Sequence, residues 1–153
     1  MIVRLAERRD LGFLYDLRNE PSVREASWNS GVVDCDAHLS WFDSVLENSN
    51  RTLYILEVGG ISVGQVRYDT DGESAEVGIS VASRFHGRGY ATEGLKKSAE
   101  IFFLNTPEIK TIFAHIKPDN MASIKAFTKA GYLMNGIVRF EGHDCVLMTL
   151  ARP

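Results

Sequence analysis

Apolar and polar positions change period several times along the chain, and each change marks an element. Residues 2–5 alternate, which predicts a short strand. Leu11, Leu14 and Leu17 then recur at helical spacing within residues 7–18, so a helix packs one face inward. Pro21 suits the first turn of a second, short helix that Trp28 and Asn29 end. Asp34 is placed to cap a third helix, with Leu39, Phe42, Val45 and Leu46 as its buried stripe and His38 and Trp41 at the stripe's edge. Residues 53–58, 61–68 and 74–82 read as three antiparallel strands joined by tight turns at Gly59-Gly60 and Asp71-Gly72. A helix over 92–104 follows, carrying Leu95, Ala99 and Phe102 in line with Ala91, and Pro107 breaks the connection after it. A strand at 111–116 and a helix at 120–130, stopped by Gly131, precede two last strands at 132–140 and 145–151. The pattern predicts a mixed α/β domain whose central strands each deliver a helix.

Composition narrows what such a domain does. A chain of 153 residues reads as one domain that buries roughly two-thirds of its unfolded surface. Its formal net charge of −3 supplies no general attraction to nucleic acid or to an acidic membrane, so neither is expected as a partner. No apolar run approaches a membrane span, and the first ten residues lack the apolar core of a signal peptide, so the cytoplasm is the expected compartment. Cys35 and Cys145 have neither metal nor disulfide-framework spacing, and His38, His86, His115 and His143 are scattered; no metal is expected.

Chemistry concentrates at residues 84–91, Arg-Phe-His-Gly-Arg-Gly-Tyr-Ala. Gly87 and Gly89 stand between a strand-like run and a helix, where a backbone without side chains lets a ligand approach closely. Amides at the start of the following helix point outward in the positive field of its terminus, an arrangement that suits phosphate. An ordinary glycine-eased turn is the alternative. A dinucleotide fingerprint would need a third glycine at Thr92 and a parallel strand, and a P-loop would need Gly-Lys-Ser/Thr where Gly94 is followed by Leu95. On the preceding strand Ala75, Val77, Ile79 and Val81 share one face, whereas Glu76, Gly78, Ser80 and Ala82 make the other unusually small. Small residues leave a groove for a long ligand, or else for a closely packed helix.

Residues 86–91 resemble the pyrophosphate loop of the GNAT superfamily, the acyl-CoA-dependent N-acyltransferases, whose pattern is Gln/Arg-x-x-Gly-x-Gly/Ala. The match falls on His86, Gly89 and Ala91, with His86 departing from Gln/Arg; a register on Arg84, Gly87 and Gly89 also fits but starts the helix late. A second block, Asn120 through Ser123 and on to Lys129, Gly131 and Tyr132, is similar to the family's Asn-x-x-Ser/Ala…Lys-x-Gly-Phe/Tyr segment. Element order agrees over nearly the whole chain. The stretches at 17–21, 38–42 and 64–68 further resemble the subgroup that acetylates the 4-amino group of UDP-linked amino sugars on routes to pseudaminic or legionaminic acid, although ribosomal-protein N-terminal acetyltransferases share parts of them.

The resemblance implies a GNAT fold, a mostly antiparallel sheet of about seven strands flanked by helices. It implies acetyl-CoA as co-substrate and a small-molecule amine, a nucleotide-linked amino sugar, as acceptor. The backbone of Ile79, Ser80 and Val81 would bind pantetheine, and His86, Gly87, Arg88, Gly89, Tyr90, Ala91 and Thr92 the pyrophosphate. Asn120 would contact the pantetheine arm or a neighbouring phosphate, with Lys125 also on the cofactor side. Glu76 would deprotonate the ammonium directly or through water, unless it is a structural carboxylate. Many relatives place a tyrosine acid where this chain has Phe127, so Ser123 or water would protonate the thiolate. Arg18, His38, Trp41 and Arg67 are the acceptor-binding candidates, with Arg139 and His143 weaker ones; Trp41 equally suits a core, and both arginines equally suit ion pairs. A protein N-terminus or a polyamine as acceptor, and a CoA sensor without catalysis, are the rival readings. Family habit adds a homodimer through the C-terminal strands.

Overall fold

In the computed structural model, which describes residues 1–153, seven strands share one sheet: β1 (Ile2–Leu5), β2 (Arg51–Val58), β3 (Ile61–Asp71), β4 (Ser74–Val81), β5 (Thr111–Ile116), β6 (Leu133–Phe140) and β7 (His143–Ala151). Their order is β1-β2-β3-β4-β5-β7-β6, and every pair is antiparallel except β4–β5. Five helices flank it: α1 (Leu11–Asn19), α2 (Pro21–Ala26), α3 (Cys35–Glu47), α4 (Tyr90–Asn105) and α5 (Met121–Lys129). The parallel pair is short. It runs only from Ser74↔Thr111 to Glu76↔Phe113, after which β4 stays with β3 and β5 with β7. The sheet therefore forks just past Glu76, at the carboxyl ends of two parallel strands, where open α/β sheets place ligands.

Both faces of the sheet's centre are covered. Leu95, Ala99 and Phe102 of α4 pack with Leu56, Val66, Tyr68 and Val77 in the larger core, and Ile124 and Phe127 of α5 extend it towards β5 and β7. Leu14 of α1 and Phe42 and Val45 of α3 cover Leu53 and Ile55 on the opposite face. Residues 53–56 of β2 are consequently all buried, against the alternation of a one-sided strand. Tyr68 lies flat on Phe102, with ring centres 4.2 Å apart, and its buried hydroxyl meets Ser98 Oγ at 2.8 Å. No helix is long and apolar enough to cross a membrane.

Several boundaries differ from the sequence expectation, each for a visible reason. The first helix starts at Leu11, behind a 3-10 turn over Arg8–Asp10. There the Asp10 carboxylate accepts the Glu7 amide at 2.7 Å and both terminal nitrogens of Arg4, which hold its pKa below the usual range against the effect of burial. β2 and β3 extend to Arg51 and Asp71 because Arg51 pairs with Asp69 and the Thr70 amide reaches the Asn50 carbonyl. Asp34 caps α3 as expected, accepting the Ala37 amide at 2.8 Å.

The stripe of α3 is rotated from the predicted one. Leu39 and Leu46 are exposed, and His38, Phe42 and Val45 face inward. His38 packs between Tyr15 and Trp41, so a residue counted as polar supplies part of the core. Burial lowers its pKa, followed by repulsion from Arg18, because Nε2 has no partner for a proton. The unfolded chain then binds the proton more readily than the folded one. Stability should fall as pH drops through the ordinary imidazole range, about 6.5, and His38→Gln should flatten that dependence in urea unfolding.

Gly64 marks the closest strand approach on the path to the fork. A Cβ there would stand 2.5 Å from the Ser80 carbonyl oxygen, and backbone cannot move aside as a side chain can. Gly64→Ala should cost about 2–3 kcal/mol of unfolding free energy, measured by urea denaturation.

Candidate active site

Beyond the fork the two parted strands bound a cleft, closed above by α2 and α5 and ending at the start of α4. It has two continuous halves that share Val23, Ala26, Ile79, Asn120 and Ser123.

The half towards α4 is a cavity of about 520 Å³. Gly87 and Gly89 take left-handed φ of 76° and 77°, and nothing lies within 4 Å of a Cβ built on either, so backbone conformation alone requires glycine. Gly89 precedes the first turn of α4, and the amides of Gly87 through Thr92 find no acceptor in the protein. Arg84 and Arg88 stack over Phe85 at 4.8 and 5.6 Å and have no acidic partner. Six free amides, a helix terminus and two unbalanced guanidiniums form a site for a multiply charged anion. His86, the residue that departs from the family pattern, does not reach outward with them. Its Nε2 donates to the Val81 carbonyl at 2.8 Å, tying the loop to the end of β4.

His86, Gly87, Gly89, Tyr90, Ala91, Thr92, Val81, Asn120 and Lys125 all line this half; Arg88 flanks it without lining it. Asn120 caps α5 through its Oδ1, which accepts the Ser123 amide at 3.2 Å, and its side-chain NH₂ makes no bond in the protein. A long ligand bearing a pyrophosphate fits these groups, with Ile79 and Val81 along its path towards the fork.

The other half, about 330 Å³, holds Glu76, Ile79, Ser80, Ser123, Arg18 and Arg67. Glu76 sits at the fork, with Oε1 3.1 Å from His115 Nδ1. Across the β3–β4 ladder it faces Asp69, whose charge is balanced by Arg51 and by Arg67, Nε 3.0 Å away. The small face of β4 is not an open groove throughout. The Arg67 guanidinium lies over Gly78, 3.4 Å from where a Cβ would stand. Arg18 donates to the Asn29 carbonyl at 2.6 Å, leaving Nη1 buried and without a partner. Burial, then the neighbouring Arg24 and Arg67, hold its pKa below the ordinary arginine value, since no carboxylate compensates it. Lys117 bonds the Glu25 carbonyl at 2.7 Å with its ammonium 5.8 Å from the Trp28 ring. Three cations thus share this half with Glu76, its one carboxylate, an environment suited to an anionic molecule. Ser123, where the halves meet, has a hydroxyl with no hydrogen bond in the protein. Phe127 borders the same space, buried and edge-on to Tyr132.

Two expected acceptor residues lie elsewhere. His38 and Trp41 belong to α3, which packs over β2, and β3 separates that strand from the fork. Arg139 pairs with Asp144 at 3.1 Å near the exposed end of the last hairpin. Sequence reasoning missed His115, Trp28, Asn29 and Lys117 as cleft residues. It also missed the aromatic wall behind them: Phe140 lies flat on His115 with ring centres 4.1 Å apart, Trp28 meets Phe140 edge-on at 5.7 Å, and His143 stacks on Trp28 at 5.9 Å.

Residues 1–133 match the family described as acetyltransferase (GNAT) domain. An aminoglycoside N(6')-acetyltransferase type 1 of Klebsiella pneumoniae is 27% identical over 169 residues, covering 98% of this chain and 82% of the relative. Among solved structures, AAC(6')-Ib in complex with paromomycin and acetyl-CoA superposes with a TM-score of 0.84 at 24% identity, over 98% of this chain and 92% of that one. A spermidine N-acetyltransferase from Vibrio cholerae, in complex with CoA and spermine, gives 0.85 at 17% identity, over 98% and 94%. None of these three is named for a nucleotide-linked sugar, the acceptor that the subgroup resemblance implied.

Proposed function

The chain belongs to the GNAT acetyltransferase family, and we propose that it transfers an acetyl group from acetyl-CoA to a primary amine on a small molecule that also carries negative charge, a nucleotide-linked amino sugar. The observation that carries the acceptor class is the excess of cations around Glu76: Arg18, Arg67 and Lys117 against one carboxylate not already paired with arginine. An aminoglycoside or polyamine is polycationic and would meet that charge unfavourably. A sugar nucleotide instead offers a diphosphate to the guanidiniums, a base to the Trp28 wall, and one amine to Glu76.

Acetyl-CoA supplies an activated acyl thioester. Gly87 through Thr92 hold its pyrophosphate, and the backbone beside Ile79 and Val81 guides the pantetheine towards the fork. The ammonium of the acceptor loses its proton at the Glu76–His115 pair, and the free amine forms the new C–N bond as the C–S bond breaks. Ser123, whose unbonded hydroxyl lies where the two halves of the cleft meet, would give the departing sulfur its proton. The chain's own catalytic groups favour an enzyme over a CoA sensor.

Release of free CoA should be measured with acetyl-CoA and a panel of amines. UDP-linked 4-amino sugars are expected to have the highest kcat/KM, with aminoglycosides and spermidine at least about 100-fold lower, the discrimination that two or more mispaired charges impose. Faster turnover of a polycation than of any nucleotide sugar would overturn the acceptor reading.

A further inference from the structure

Glu76 is not a free carboxylate. Its Oε1 meets His115 Nδ1, and that imidazole is clamped from two sides, flat against Phe140 and edge-on to Phe113 at 5.5 Å. His115 Nε2 has no partner in the protein and is not enclosed, while the residue borders the acceptor half of the cleft with Ser123 and Phe127. A carboxylate on Nδ1 fixes the proton there and leaves Nε2 with its lone pair outward. Such an orienting carboxylate, imidazole and open acceptor nitrogen have the arrangement of a general base with its support.

We propose that His115 Nε2 takes the proton from the acceptor ammonium, and that Glu76 is a positioning residue that holds the imidazole in the Nδ1–H tautomer. This rests on the acetyl-transfer reading above. An imidazole titrates near neutral pH, whereas an ordinary carboxylate, at about 4.3, is a weak base towards an ammonium. In the step, R–NH₃⁺ gives one proton to Nε2 and becomes R–NH₂. Its lone pair forms the C–N bond to the acetyl carbon, the C–S electrons leave on sulfur, and the second amine proton is lost as the thiolate gains one. The imidazolium then returns its proton to water, so the sum is R–NH₃⁺ plus acetyl-CoA giving R–NH–acetyl, CoA–SH and H⁺. The charged and titratable groups around the ring are Glu76 on β4, Asp69 with Arg51 and Arg67 behind it, Lys117 after β5, Cys145 and the Asp144–Arg139 pair on the last hairpin, and His143 beyond Trp28.

Two measurements test this. In ¹⁵N NMR of the imidazole, the neutral wild-type ring should be protonated at Nδ1, and Glu76→Gln should release that preference; an Nε2–H ring in the wild type overturns the proposal without using any acceptor. In steady-state kinetics, His115→Gln should lower kcat about 100-fold and abolish its acid limb. Glu76→Gln should lower kcat about 10-fold while the acid limb is retained, because the imidazole is still present but no longer held in one tautomer. The double variant should be no slower than His115→Gln alone. Retention of the rate within about threefold in His115→Gln, or loss of the limb in Glu76→Gln while His115→Gln keeps it, overturns the proposal and returns the base role to Glu76. A wild-type protein that acetylates no amine would instead overturn the acetyl-transfer reading, and the base role with it, even if the ring is Nδ1–H.

Discussion

Gly87→Asp should weaken CoA binding about 1,000-fold while the protein stays folded. The loop reserves its amides for an anion, and a carboxylate at residue 87 would both accept those amides and repel a pyrophosphate. Two unit charges about 4 Å apart, at the effective dielectric near 20 of a protein surface, interact by about 4 kcal/mol, which is the stated thousandfold. Nothing crowds the position, so the side chain needs no rearrangement, and aspartate tolerates left-handed backbone better than most residues. Gly87→Asn separates charge from shape: it shares the backbone tolerance but not the charge, and should lose less than about tenfold. Titration calorimetry with CoA reads both variants. Equal losses in the two would mean that loop conformation, not charge, governs affinity.

That loop was legible in the sequence because its signal is local: a strand period ends, two glycines follow, and a helical period begins. The chain told equally well that seven strands and five helices follow in this order. What it could not tell depends on which strands become neighbours. Pairing of β4 with β5 joins segments separated by a whole helix, and a parallel pair leaves no turn signature between them. Glu76 could be singled out on its own strand, but its bond to His115 exists only through that pairing. The α3 stripe failed for a different reason. Counting only aliphatic and aromatic positions excluded His38, although its imidazole is buried there between two aromatic rings. His86 is a mismatch to the family pattern that becomes intelligible once its bond to Val81 is seen: it braces the loop and leaves the amides of residues 87–92 free.

Removing both guanidiniums, in Arg18→Ala/Arg67→Ala, should lower kcat/KM for a nucleotide-linked amino sugar about 1,000-fold, with acetyl-CoA affinity unchanged. Each charge-assisted hydrogen bond to a phosphate is worth about 1.5–3 kcal/mol, so two supply the effect. The sign for other acceptors decides the class. Losing Arg67 leaves Asp69 balanced by Arg51 alone, directly across the ladder from Glu76, and losing Arg18 removes an uncompensated cation from the wall. The cleft then becomes more negative, so spermidine and aminoglycosides should be acetylated faster by the double variant than by the wild type. Coenzyme binding is the internal control, because neither arginine lines the half of the cleft proposed for the pyrophosphate. A variant that loses activity equally towards anionic and cationic amines would mean that the arginines support the fold of the cleft rather than select its acceptor. Selection, by contrast, requires the two activities to move in opposite directions, which no general loss of stability can produce.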